Sequence, residues 1–142
     1  MTRERLIVGA KHQLQLLVDE RLTVPALAGT FTGFTDMPPV FATAFMVGFI
    51  EWACIESLRT ALPPDSKTVG THIDVSHVAP TPVGMVVTAE VELLSIKGRD
   101  LCFRVQCSDE AGLIGQGTHK RAVVGTAKFL KRVAAKQETR NV

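Results

Sequence analysis

The segment VFATAFMVGFIEWAC, residues 40–54, is the most apolar part of the chain and the one that most limits how it can fold. Apart from Thr43 and Glu51, every residue in it is apolar or glycine. Proline pairs lie on both sides of the segment, so a helix is predicted from about Ala42 to Leu62. A helix that is apolar nearly all round over its first three turns must be buried on several sides.

The remaining sequence is typical of strands joined by turns. Residues 8–20 predict a first strand, and a Thr-, Gly- and Pro-rich loop over residues 21–39 connects it to the helix. That loop is long for a compact domain, so we expect it to act as a lid or binding element. Four strand-like runs follow the helix, at residues 68–79, 84–96, 101–109 and 113–125. Alternation gives the middle two an apolar face each, formed by Val87, Ala89, Val91 and Leu93 and by Leu101, Phe103, Val105 and Cys107.

This order of elements predicts an α+β fold, with one strand, a loop, one long apolar helix and about four antiparallel strands. A strongly curved antiparallel sheet wrapped around the helix would bury it on several sides, an arrangement called the hot-dog fold. The 142 residues are enough for a single domain of this kind. Its basic C-terminal tail, from about residue 129 to 142, is expected to be solvated.

Composition argues against several classes of protein. The net charge of +2 and the absence of tyrosine do not fit a nucleic-acid binder, which needs a basic stripe interleaved with aromatics. No stretch of about 18 apolar residues is present, so neither a transmembrane helix nor a membrane partner is expected. The N-terminus lacks the apolar run of a signal peptide, and the three cysteines lack metal-type spacing. We therefore expect a cytoplasmic protein with reduced thiols and no metal site.

Glu51 is the residue of the apolar helix that most needs an explanation. By three- and four-residue spacing it shares a helix face with Val47 and Ile55 and with no charge that could balance it. A carboxylate buried without a partner is costly or takes up a proton, so Glu51 must reach water, meet a partner from elsewhere or have a raised pKa. Each outcome indicates a functional site, and a structural ion pair is the simpler alternative.

A histidine is the first candidate partner for this glutamate. Alternation along residues 68–79 places His77 on the apolar face, towards the helix, and His72 on the opposite face. An inward histidine near an inward glutamate suggests an acid–base pair, and a core histidine bonded to a backbone carbonyl is the alternative. His12 and His119 lack this context.

Thr43 lies at or near the predicted helix start, where its simplest role is an N-cap. It is about 12 Å from Glu51 along an ideal helix, so the two side chains cannot easily touch within one chain. A site that uses both needs a substrate stretched between them or groups from a second subunit. We therefore expect a homodimer, and the open edges of a curved sheet favour one too.

Three stretches of the sequence are similar to one enzyme family. VFATAFMVGFIEWAC, GTHIDVSHVAPTPVGMVVTAEV and IGQGTHKRAVV closely resemble the fluoroacetyl-CoA thioesterase group of the hot-dog superfamily, without large gaps from about Phe34 to Lys128. The resemblance implies an acyl-CoA thioesterase that acts as a homodimer and needs no metal or organic cofactor. It also implies a catalytic threonine, glutamate and histidine, which fall on Thr43, Glu51 and His77.

The resemblance also implies four substrate-binding positions. Gly70 is expected near the thioester carbonyl, and Arg121 is expected to position the substrate or its CoA portion; on their own they would be a strand bend and an exposed strand charge. Two phenylalanines of the family line a lid over the acyl group. Phe34 falls on the first, and Met37, a flexible side chain, falls where the second would be. Fluoroacetyl, acetyl, other short or branched acyl groups and aryl-acyl groups all stay open as substrates.

The expected reaction is hydrolysis of a small acyl-CoA to the free acid and CoA. Glu51 would attack the carbonyl or act as general base, while His77 would orient water or protonate the leaving thiolate. Thr43 would hydrogen-bond the acyl group or water, and a backbone N–H near Gly70 would stabilise the oxyanion. Candidates for the basic surface that meets the nucleotide end of CoA are Lys97, Arg99, Lys120 and Arg121.

Two other functions fit parts of the pattern. An acyl-CoA dehydratase on the same fold usually needs a histidine close to its carboxylate in sequence, and none lies near Glu51. A non-catalytic acyl-CoA binding or sensing dimer would use the lid and the basic strand equally well. Binding alone has no need for Thr43, Glu51 and His77 together, and turnover of an acyl-CoA would distinguish the two.

Overall fold

The computed structural model describes residues 6–141 of the protein. Five strands and two α-helices make up this part of the chain, together with short 3-10 turns. The strands are β1 (Lys11–Leu17), β2 (Ser66–Val75), β3 (Val86–Lys97), β4 (Asp100–Asp109) and β5 (Gly112–Gly125), and the helices are α1 (Thr43–Ser57) and α2 (Thr126–Glu138). The predicted α+β class is confirmed. Neither helix is long and apolar enough to cross a membrane.

The five strands form one antiparallel sheet in the order β1–β3–β4–β5–β2. The turn between β3 and β4 contains Gly98, whose φ of 61° lies in the left-handed region that favours glycine. β2 lies at one edge of the sheet beside β5, and its register shifts between Gly70 and His72. Thr71 is therefore the extra residue of a bulge, and the other edge of β2 is unpaired within the described chain.

The core lies between α1 and one face of the sheet. The apolar faces predicted for β3 and β4 are buried, and so is the side of α1 that packs against them. Burial of one large apolar side chain contributes about 1.5–3 kcal/mol, so this packing holds α1 firmly on the sheet. From α1 the core takes Met46, Phe49, Ile50, Ala53 and Cys54, and from the strands Val87, Ala89, Val91, Leu93, Leu101, Phe103, Val105 and Cys107.

All three cysteines are free thiols, as predicted. Cys54 and Cys107 are buried in the core, while Cys102 is half-buried on the strand that it shares with Cys107. Burial raises the pKa of Cys54 and of Cys107 to about 12. Both core thiols are therefore protonated at neutral pH and are poor nucleophiles.

Two elements differ from their predictions. α1 ends at Ser57 rather than near Leu62, because Leu58 leaves the helical ladder and its N–H bonds to the Ile55 carbonyl at 3.1 Å. The proline after Leu62 disfavours helical geometry in the residue before it, and the chain turns there towards β2. The basic tail predicted from residue 129 is mostly the helix α2, in which Phe129 is half-buried and the residues from Leu130 onward are exposed.

One side of α1 stays uncovered in the single chain, although the sequence predicts burial on several sides. Trp52 is 43% exposed and Ile55 is 38% exposed on this side. Ala44 and Gly48, which precede them at helical spacing, are exposed as well. The difference arises because the sheet of one chain covers only one side of the helix.

Candidate active site

The carboxylate of Glu51 meets an arginine from the sheet. Glu51 lies on α1 with its side chain 40% exposed, and its Oε1 accepts a hydrogen bond from Arg121 Nη1 at 3.1 Å. Arg121 lies on β5 and is only 4% exposed. Glu51 therefore both reaches solvent and has a partner of opposite charge, which are two of the three outcomes that the sequence allows.

All three nitrogens of the Arg121 guanidinium have hydrogen-bond partners. Its Nε donates to Thr68 Oγ1 at 2.9 Å, and its Nη2 donates to the Thr68 carbonyl, also at 2.9 Å. Its Nη1, besides the bond to Glu51, lies 3.1 Å from His119 Nε2. Because a guanidinium is planar and presents its donors in a rigid fork, these contacts fix the direction in which Nη1 points. Arg121 is therefore not the exposed strand charge that its sequence context alone would predict.

Gly70 makes room for the Glu51 carboxylate. A Cβ atom at this position would lie 2.6 Å from Glu51 Oε1, 3.3 Å from His119 Cε1 and 3.4 Å from Arg121 Nη1, so the Glu51 carboxylate would have to move to admit it. Gly70 is also the register partner of Arg121 in the β2–β5 pair. The glycine thus leaves room for the ion pair at the edge strand, and it lies beside the bulge at Thr71, where a bend in the strand is expected.

Thr43 and His77 form a second polar group at the start of α1. Thr43 Oγ1 and His77 Nδ1 are 2.7 Å apart. Thr43 is the first residue of α1, and Ala42 occupies the N-cap position, so the threonine side chain bonds to the histidine instead of capping the helix. His77 follows the end of β2 at Val75 rather than lying within the strand, which corrects the predicted strand end.

The imidazole of His77 is partly buried and packs edge-on against Phe41, with ring centroids 6.5 Å apart. Burial lowers the pKa of His77 below its ordinary value, so the ring is neutral at neutral pH. Its Nε2 is buried and has no hydrogen-bond partner among the described residues. A neutral ring of this kind can exchange a proton with Thr43 or with a bound molecule.

The two groups are separate within one chain. No hydrogen bond or ion pair joins Glu51 and His77 among residues 6–141, so the direct acid–base pair expected from the sequence is not formed there. Glu51 lies eight residues after Thr43 on α1, a rise of about 12 Å. The structure thus presents a threonine–histidine pair and a glutamate–arginine pair on the same helix, about two turns apart.

His119 is the main residue that sequence reasoning missed. It is 2% exposed, and its Nε2 lies 3.9 Å from Glu51 Oε1. Burial lowers the pKa of His119, and the charge of Arg121 lowers it further, against the raising effects of the His72 carbonyl and of Glu51. The available signal was its spacing, because a residue two positions before Arg121 on a strand must share its face.

An open pocket of about 470 Å³ lies over the glutamate. Its walls are formed by α1, by the bulged part of β2 and by β5. The lining residues are Val47, Glu51, Gly70, Thr71, His72, Ile73 and His119. No group of three or more His, Cys, Asp or Glu side chains with the geometry of a metal site occurs in the described part of the chain. The pocket offers a small molecule one carboxylate, apolar walls and the backbone of an edge strand.

The loop before α1 is ordered by turns and by contacts with the start of the helix. The Val24 N–H bonds to the Val40 carbonyl at 3.0 Å, which ties the two ends of the loop together. Phe34 is half-buried and its ring centroid lies 5.5 Å from that of Phe31, whereas Met37 is 47% exposed. Their roles in binding an acyl group stay predictions.

The predicted basic surface is present in part. Lys97, Arg99 and Lys120 are exposed, whereas the buried Arg121 does not belong to it. Lys97 and Lys120 line a second pocket of about 500 Å³ beside the bulge in β2. An anionic group could approach these two lysines from solvent.

Comparison with known sequences identifies related proteins. A family model described as the fluoroacetyl-CoA-specific thioesterase FlK matches residues 19–127, a span that includes Thr43, Glu51, His77 and Arg121. A curated fluoroacetyl-CoA thioesterase from Streptantibioticus cattleyicolor is 40% identical over 134 residues, which cover 94% of this chain and 96% of that protein.

Solved structures agree with the sequence comparison. A structure of the fluoroacetyl-CoA thioesterase FlK has a TM-score of 0.90 and 41% identity, covering 94% of this chain and 98% of that one. A variant of FlK in complex with fluoroacetate and CoA has a TM-score of 0.85 and 42% identity, covering 87% and 99%. A hot-dog-like protein from Thermanaerovibrio acidaminovorans, at 23% identity and a TM-score of 0.78, is similar in fold and covers 91% of each chain. The predicted hot-dog fold is confirmed.

Proposed function

The chain belongs to the fluoroacetyl-CoA-specific thioesterase family, and we propose that it hydrolyses small acyl-CoA thioesters with Glu51 as the central catalytic group. The products are the free acid and CoA. One observation carries this proposal: the half-exposed carboxylate of Glu51, held at 3.1 Å by the buried Arg121, opens into a pocket large enough for an acyl group. The protein is thus a thioester hydrolase.

Glu51 acts on the thioester carbonyl by one of two routes. It attacks the carbon to form a mixed anhydride, which water then hydrolyses, or it takes a proton from the water that attacks. In both routes the C–S bond breaks and CoA leaves as a thiolate that must gain a proton. Hydroxylamine separates the routes, because only an enzyme anhydride can yield a hydroxamate on Glu51, detectable by mass spectrometry.

The Thr43–His77 pair and the bulge in β2 supply the remaining chemistry. His77, kept neutral by burial, orients the attacking water, or takes a proton from that water and passes it to the leaving thiolate, and Thr43 hydrogen-bonds the acyl group or the water. The bulge leaves Thr71 without a register partner on β5, next to Gly70, and we expect a backbone N–H of this segment to face the thioester oxygen. An N–H directed at the developing oxyanion typically stabilises the transition state by about 3 kcal/mol.

The active form is a homodimer. Three observations support this assembly: α1 has an uncovered apolar side that includes Trp52 and Ile55, β2 has an unpaired edge, and the Thr43–His77 pair is separated from Glu51 along α1. A second copy can cover the apolar side of α1 and the free edge of β2. It can also bring its own polar groups close to the Thr43–His77 pair or to Glu51. Light scattering of the purified protein should give twice the mass of one chain, and a monomer of full activity would contradict the proposal.

The three free thiols support a reducing compartment such as the cytoplasm. We expect the acyl preference to depend on the loop before α1, where Phe34 packs on Phe31 and Met37 stays exposed. A flexible methionine accepts more acyl shapes than a rigid aromatic ring does. We therefore expect activity on several short acyl groups, with no steep preference for fluoroacetyl.

The deciding experiment measures CoA release from a panel of acyl-CoAs by wild type and by Glu51→Gln. The panel spans fluoroacetyl, acetyl, propionyl, butyryl, a branched acyl and phenylacetyl. Glutamine keeps the shape of the side chain and removes its basicity, so we expect turnover to fall at least about 1,000-fold in a protein that stays folded. If a folded wild type binds CoA and hydrolyses no member of the panel, a non-catalytic binding or sensing role is correct instead.

A further inference from the structure

His119 is a buried histidine whose two ring nitrogens both have partners. Its Nδ1 lies 2.7 Å from the carbonyl oxygen of His72. A carbonyl oxygen can only accept a hydrogen bond, so Nδ1 must carry the proton. This contact crosses from β5 to the edge strand β2 and fixes both the tautomer and the orientation of the ring.

The tautomer of His119 determines what its other nitrogen does. With the proton on Nδ1 of a neutral ring, Nε2 holds a lone pair and accepts a hydrogen bond. Among the described residues, the only donor within hydrogen-bond distance of His119 Nε2 is Arg121 Nη1, at 3.1 Å. The same Nη1 donates to Glu51 Oε1, so the imidazole, the guanidinium and the carboxylate form a chain from the edge strand to the helix.

We propose that His119 is a positioning residue for catalysis, which holds Arg121 Nη1 in the place from which it orients the Glu51 carboxylate. This inference rests on the proposed function of Glu51. Thr68 holds the Nε and Nη2 atoms of the guanidinium, and His119 supplies the acceptor at Nη1 that faces the helix. Without that acceptor, Nη1 and the half-exposed Glu51 side chain can rotate together away from the pocket.

The charged and titratable groups around the ring explain why it stays neutral. Glu51 faces it from α1, His72 from β2 and Arg121 from its own strand, while β4 places the apolar Phe103 at its register position. Burial and the adjacent guanidinium both oppose protonation. A protonated ring would lose the Nε2 acceptor and place a second cation against Arg121. We therefore expect acid to break the hydrogen bonds that join His119, Arg121 and Glu51.

Two substitutions at position 119 separate positioning from simple packing. Asparagine keeps a donor at the Nδ1 position and removes the acceptor towards Arg121, whereas glutamine keeps an acceptor near the Nε2 position. We expect His119→Asn to lower kcat about 10–100-fold with little change in KM, because small misplacements of a catalytic group have effects of this size. His119→Gln should recover most of the loss and keep more of its kcat at acid pH than wild type does.

Thermal unfolding of both variants controls for damage to the fold. The proposal is overturned if His119→Asn has the kcat of wild type, or if the kcat of His119→Gln is as low as that of His119→Asn. Should wild type hydrolyse no acyl-CoA, the proposed function fails, and nitrogen-15 NMR of labelled histidine then tests the positioning directly. In that experiment Arg121→Lys must shift the Nε2 resonance of His119, and an unmoved resonance overturns the proposal.

Discussion

Glu51 and Arg121 are 70 residues apart in the sequence, and their side chains meet at 3.1 Å. One belongs to the apolar helix and is half-exposed, while the other is buried beneath the edge of the sheet. A buried arginine needs hydrogen-bond partners for its charge, and here Thr68, His119 and Glu51 give each of its three nitrogens at least one. The sheet thereby determines where the Glu51 carboxylate points.

Lysine at position 121 should disable this arrangement while keeping the charge. A single ammonium group cannot bond to Thr68, His119 and Glu51 at once. We expect Arg121→Lys to lower kcat about 100-fold and to destabilise the fold by about 2 kcal/mol, because buried acceptors are left unpaired. Arg104→Lys, at an exposed arginine on β4, is the matched control and should leave kcat unchanged. Equal kcat values in the two variants would contradict the assigned role.

A methyl group at Gly70 should affect activity more than stability. The added Cβ would lie 2.6 Å from Glu51 Oε1, which is the end of a flexible side chain that can move away. Gly70→Ala should therefore fold normally and lose at least about 10-fold in kcat, since the carboxylate is displaced. Gly125→Ala is the control, because nothing lies within 4 Å of a Cβ there. Steady-state kinetics measures the kcat of both variants, and thermal melting measures their stability. Full activity of Gly70→Ala would show that Glu51 tolerates displacement.

Thr43 and His77 should behave as one unit in kinetics. Their 2.7 Å contact predicts that Thr43→Val and His77→Ala are not additive. The double variant should be no slower than the slower single variant, as measured by kcat on the best substrate. A multiplicative loss would mean that the two side chains act independently.

Acid should weaken the fold through its two buried histidines. The pKa values of His77 and His119 are lowered by burial, so the unfolded chain binds more protons than the native one below about pH 6.5. Stability is therefore complete above that pH and is lost as the pH falls towards the folded-state pKa values. Melting temperatures should drop between about pH 7 and pH 5, and by less in His119→Gln. A wild-type melting temperature that does not change across this range would contradict the assignment.

The sequence predicts the fold well because its strongest signals are local. Alternation identifies the buried faces of β3 and β4, and the apolar helix with one carboxylate singles out Glu51. Thr43 and His77 were both singled out in the sequence and lie in contact in the structure, although the strand that was expected to hold His77 ends at Val75. The spacing of Phe129, Leu130 and Val133 is typical of a helix, and the basic tail forms α2 at these residues.

What sequence reasoning missed depends on contacts between distant segments. The partner of Glu51 is decided by the β2–β5 register and its bulge, neither of which alternation within one strand reveals. His119 was missed because the neighbouring Arg121 is predicted from its sequence context to be an exposed strand charge, while the other partners of His119 come from the distant α1 and β2. The uncovered side of α1 was missed for another reason, since a helix pattern shows what must be covered but not by which chain.

The burial of Cys54 and Cys107 makes colorimetric thiol assays practical for this protein. Such assays count every reactive sulfur in the cuvette, whether it belongs to released CoA or to the enzyme itself. With two thiols enclosed in the core and a pKa of about 12 each, the folded protein can add at most the half-buried Cys102 to the background. A rising blank in a stored sample would then report unfolding, so the same reagent monitors both turnover and the integrity of the preparation.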